Sequence, residues 1–146
     1  MMRTTITDPI LGDQGEAFGA GERAAGIFTT VFGPTNSRIL VLVDVIGGAV
    51  PQAQRQLFRE VEAWYPEAVH EVYVAILRKV KEAPAATELT SLEEIRDRLQ
   101  LTALDIRYPF RPPAKCILEY KFDPNAPKWF VRIGEDFHVE WCGLGD

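Results

Sequence analysis

At 146 residues, with 47% hydrophobic and 25% charged residues, the chain has the size and composition of a single domain, 1–146. Such a domain builds a core without disulfides or a structural metal. Its net charge of −5 disfavours a nucleic-acid partner, no run approaches the roughly 18 apolar residues of a membrane span, and no apolar leader follows Arg3, so the expected location is cytoplasmic.

Residues 1–24 read as a loop-rich N-terminal segment, in which Asp8-Pro9 and Gly12-Asp13 are turn dipeptides. Two β-branched and aromatic runs follow, Ile27–Phe32 and Arg38–Ile46, around the loop signal "GPTNS", and predict a hairpin. Ile39 to Val43 are all apolar, a pattern that predicts a central strand covered on both faces. From Val50 to Glu82 the period becomes helical. Leu57, Val61 and Trp64 mark one stripe, and Val69, Val72, Tyr73, Ile76, Leu77 and Val80 another. Pro66 lies between them and predicts two helices, or one bent at Tyr65-Pro66. "APAATELT" reads as a linker. Ser91 and Glu94 form a capping box that opens a short helix. Four short strands close the chain, in "ALDIRYPF", "KCILEYKF", "KWFVRIG" and "DFHVEWCG".

The expected fold is α+β: an antiparallel sheet made of an N-terminal hairpin and a C-terminal four-strand meander, with two or three helices on one face, in the order ββ-αα-α-ββββ.

The sequence "WFVRIGEDFHVEWCGLGD" contains His138, Glu140 and Cys142, each two residues from the next. On a regular strand these share one face, and Phe137, Val139 and Trp141 share the other. The aromatic set is expected to face the core. Across i, i+2 and i+4 a strand spans roughly 13 Å, too far for three ligands about 2 Å from one metal. His138 and Glu140 with a cross-strand partner remain as an alternative metal or hydrolytic site. Other constellations carry less chemistry. "GAGERAAG" misses the dinucleotide spacing, no G-x-S-x-G elbow is present, and the acid pairs Glu93-Glu94 and Glu135-Asp136 fall in a helix start and a turn. Cys116 and Cys142 lack CxxC spacing and read as reduced thiols.

Three stretches carry a resemblance: "DPILGD" at residues 8–13, the helix beginning "VPQAQRQLFREVEAWYPEAVHEVYVAIL", and the closing "ILEYKFDPNAPKWFVRIGEDFHVEWCG". Together they resemble an uncharacterised family of small bacterial proteins known only as a domain of unknown function. Such proteins are similar to the α+β immunity-type proteins of polymorphic toxin systems. The resemblance implies a non-enzymatic protein that acts by binding another protein, toxin-like or a second copy of itself, and brings no catalytic residue or cofactor. The expected interaction residues are Glu60, Glu67 and Glu71 on the helix, with Trp129, His138 and Glu140 on the closing strands.

Overall fold

A computed structural model of the chain describes residues 3–19, 22–82, 91–107 and 113–145. The predicted linker at 83–90 lies outside them, as do Tyr108–Phe110 of the predicted "ALDIRYPF" strand. The order of elements is β1 (Arg3–Asp8), β2 (Gly12–Phe18), β3 (Arg23–Phe32), β4 (Ser37–Ile46), α1 (Gln52–Glu82), α2 (Leu92–Arg98), β5 (Gln100–Asp105), β6 (Cys116–Lys121), β7 (Lys128–Ile133) and β8 (Val139–Gly145).

All eight strands form one sheet in chain order. Every neighbouring pair is antiparallel except β4 and β5, which run parallel because the helices carry the chain back between them. The expected fold is therefore corrected in three respects. The sheet is mixed, with eight strands. Its N-terminal half is four strands, because residues read as loop form β1 and β2. One long and one short helix replace the two or three expected.

Pro66 does not divide α1, although it removes a backbone donor from the helix interior. Its own side chain is exposed, and the buried stripe keeps phase on both sides of it: Phe58, Val61 and Tyr65 before, Val72, Ile76 and Val80 after. Continuous packing of that stripe on the sheet holds the helix together across the missing bond. Leu57 and Trp64, expected at the centre of the stripe, are half-buried on its flank. At α2, the Ser91 hydroxyl accepts from the Glu94 N–H at 3.2 Å, the N-cap half of the expected box.

The register defines the core as a row crossing every strand: Ile6, Gly15, Phe28, Val41, Leu104, Leu118, Val131 and Cys142. From Phe28 onward each member is at most 4% exposed, beneath α1. Gly15 is required here, since the Phe28 ring lies where its Cβ would be.

Polar clamps tie α1 to the sheet near its start and along its length. The buried Asp8 carboxylate accepts from the backbone N–H groups of Ile10 and Leu11, each at 2.9 Å, and from the Arg55 guanidinium. Burial alone would push its pKa up. The two backbone donors and then Arg55 outweigh that and hold it below the usual carboxylate value. Gln54 makes a reciprocal pair with Asp44, donating to its carboxylate and accepting from its backbone N–H, both at 2.8 Å. Farther along, the Trp64 indole N–H donates to the Phe137 carbonyl at 2.9 Å.

Candidate interaction surface

His138, Glu140 and Cys142 do not form a row. Ile133 pairs with Val139 while Arg132 pairs with Trp141, so β8 spends one more residue than β7 at this point. This bulge at Glu140 switches the alternation. Cys142 turns inward, 4% exposed, and Trp141 turns outward, 51% exposed, the reverse of the expected arrangement. His138 precedes the strand and reaches α1, where its Nδ1 lies 2.9 Å from Glu71 Oε1. The second oxygen of Glu71 accepts from the Val139 N–H at 2.9 Å. Two expected interaction residues thus engage each other. The shared hydrogen bond raises the His138 pKa and, with the Val139 N–H, lowers that of Glu71. Glu140 pairs with Arg132 at 2.9 Å.

Among the described residues no three His, Cys, Asp or Glu side chains come together as a metal would require. Burial pushes the Cys116 thiol up to about 12 and that of Cys142 up to about 11. Both therefore stay protonated near neutral pH, and β7 separates their strands. Trp129 is 2% exposed in the core, opposite Tyr120. Its indole N–H finds no acceptor among the described residues. Glu67 is exposed on α1, and Glu60 borders a cavity of about 280 Å³ shared with Arg107, Lys115 and Glu135. No described helix is long and apolar enough to cross a membrane.

The outward face of the sheet carries exposed and half-buried apolar side chains. One row across it reads Glu16, Ile27, Leu42, Asp105, Ile117, Arg132, Trp141. The next reads Thr29, Leu40, Ala103, Glu119, Phe130, Gly143. Leu40 is 43% exposed, and Ile27, Leu42, Ile117 and Phe130 are half-buried. Among the described residues β4 is therefore covered on one face only, and its unbroken apolar run marks a partly exposed apolar face rather than a second layer. At the β8 edge the indole of Trp141 lies over Gly143 and the ring of Phe130 over Gly145, so closely that a Cβ on either glycine would enter the ring. The two glycines let both rings lie flat and form an aromatic shelf. Their spacing of two, at the strand period, is the sequence signal for this shelf that the reading of the closing strands passed over.

Each carboxylate on these rows is neutralised within the chain: Glu16 by Arg3, Asp105 by Arg107 at 2.7 Å, and Glu119 by Lys128 at 3.3 Å. Arg132 is answered by Glu140. The face thus interleaves apolar side chains with internally compensated charges. No protein-family model, curated protein or solved structure matches the chain.

Proposed function

We propose that this chain is a protein-binding module that engages a different protein through the bare face of its sheet. The observation that carries this reading is the outward apolar set Leu40, Leu42, Ile117, Phe130 and Trp141 on a face that no described element covers. A half-solvated antiparallel sheet ordinarily turns polar side chains to water. Apolar side chains open to water with a Trp and an Arg among them have the residue types enriched at interfaces. Because its ion pairs are already closed, the face needs an apolar counterpart rather than a strongly charged one. Binding and sequestration of a partner is also the role that the immunity-type resemblance implies.

Capture from cells of the source organism tests the reading, with wild type compared against Trp141→Glu and Leu40→Glu. The expected result is a protein retained by wild type and lost by both variants, with affinity for the purified partner down about thirtyfold or more, as for a hot-spot residue. Retention unaffected by either variant would overturn it. So would a homodimer in light scattering that Trp141→Glu dissolves.

A further inference from the structure

Gly134 to His138 join β7 to β8. The Phe137 N–H donates to the Gly134 carbonyl, and the Gly134 N–H donates to the His138 carbonyl, both at 2.9 Å. Glu135, Asp136 and Phe137 thus form a three-residue hairpin loop, whose last position takes a left-handed backbone and ordinarily carries glycine. Here it carries phenylalanine, at φ +62°. A bulky side chain in that region is an outlier, and it persists only where the surroundings over-determine it.

Those surroundings are supplied largely by α1. The Phe137 carbonyl accepts from the Trp64 indole N–H at 2.9 Å, and the two rings pack with centroids 5.7 Å apart. The Lys115 ammonium stands over the Phe137 ring, 5.0 Å from its centroid. About two turns farther along the helix, Glu71 takes the next two residues, His138 through one oxygen and the Val139 N–H through the other. The bulge at Glu140 follows at once. Trp64 and Glu71 therefore grip a stretch that runs from one backbone irregularity to the next, from the left-handed Phe137 to the bulge.

Such a grip can open without unfolding the molecule. Trp64, Phe137 and Val139 are half-buried and His138 is exposed, so parting them uncovers little of the core. The strain at Phe137 is relieved when they part, and it works against the bonds that α1 makes. The stretch leads directly into Trp141, whose outward turn depends on the bulge at Glu140.

We propose that the β7–β8 turn is a strained latch that regulates the outward sheet face: closed on Trp64 and Glu71 it holds the Glu140 bulge and presents Trp141, and open it lets Phe137 relax and frees Trp141 from that pose. The regulatory role rests on the function proposed above, but the latch is tested without a partner, so either can fail alone. The test is hydrogen exchange of the full chain, followed by NMR. The Phe137 and Val139 amides and the Trp64 indole N–H are expected to share one opening, at least about a hundredfold more populated than that of the Val41 amide in the core. Glu71→Ala should raise this opening about tenfold, including at the Trp64 indole, whose hydrogen bond goes to Phe137 and not to Glu71. Trp64→Phe should do the same at Val139. Because the Trp141 ring lies over Gly143, the ring-current shift of the Gly143 α-protons should shrink in both variants. Phe137→Gly and Phe137→Ala both lose the ring and differ only in the Cβ that makes a positive φ costly, so the first should open about fivefold less than the second. Each opening is read as a ratio to Val41, so that a loss of global stability cancels. The proposal is overturned if the turn exchanges only together with Val41, if Glu71→Ala and Trp64→Phe leave the far contact and the Gly143 shift unchanged, or if Phe137→Gly and Phe137→Ala open alike.

Discussion

The β1–β2 and β7–β8 hairpins stand at opposite edges of the sheet, and each is fastened to α1 by a carboxylate. At the first edge the acid belongs to the hairpin and the cation to the helix, Asp8 with Arg55. At the second the roles are exchanged, Glu71 on the helix and His138 on the turn. Arg55 and Glu71 lie sixteen positions apart, roughly 24 Å along the helix at 1.5 Å per residue, so α1 spans the sheet between them. Their environments differ. The Asp8 side chain is wholly buried and accepts two backbone N–H bonds besides its cation. Glu71 and His138 are 41% and 70% exposed. A buried clamp constrains folding because its failure leaves a charge without water. An exposed one acts as a latch, since water takes over when it opens.

The largest effect should therefore come from the buried clamp. Arg55→Ala leaves the Asp8 carboxylate without its cation and should cost about 3 kcal/mol in denaturant unfolding. A loss below about 1 kcal/mol would show that the two backbone donors suffice, and that the clamps differ little. The pH dependence follows from the depressed pKa of Asp8. Its contribution is fully present above the unfolded value of 3.8 and is lost as pH falls through the lower folded value. The gap between wild type and Asp8→Asn should accordingly close in strong acid.

Next comes Gly15→Ala in the same hairpin. A methyl group there must displace the ring of Phe28, which is fully buried in the core row. Overpacking of this kind costs about 1–3 kcal/mol, read as a shift of the unfolding midpoint. At the other edge, Trp64→Phe keeps an aromatic ring against Phe137 but removes the N–H donated to the Phe137 carbonyl. About 1 kcal/mol is expected there. If this loss exceeded that of Gly15→Ala, the turn at the second edge would be the more tightly held of the two.

The difference between the edges also explains what local pattern conveyed. Strands β3 and β4 were legible because β-branched, aromatic and aliphatic residues dominate them, and the α1 stripe because its apolar residues recur at the helical period. β1 and β2 were not, because an edge hairpin buries few side chains: within them only Asp8, Gly15 and Ala17 are buried, and none reads as hydrophobic alternation. A bulge at Glu140 switches strand parity without a distinctive residue, and so hid the outward turn of Trp141. The partner of His138 could not be read from "FHVEWC", since Glu71 lies 67 positions away and approaches only when α1 docks.

The smallest effect is expected at His138, and its size changes with pH as well as with salt. The Glu71 hydrogen bond raises the His138 pKa above its usual 6.5. A raised pKa means that the stabilisation is fully present below pH 6.5 and is lost as pH rises through the folded value. Glu71, whose pKa is lowered from 4.5, must also be ionised, so the contribution fades again as pH falls through its folded value. The latch therefore works in a window bounded below by the lowered Glu71 value and above by the raised His138 value. His138→Gln should show its largest midpoint deficit inside that window and approach wild type at alkaline pH. The deficit should shrink with added salt, because the pair is screened at the surface. A deficit that persisted undiminished at alkaline pH would mean that the imidazole acts as a neutral hydrogen-bond donor to Glu71, and that both edges are held by fixed polar contacts rather than one by a titrating latch.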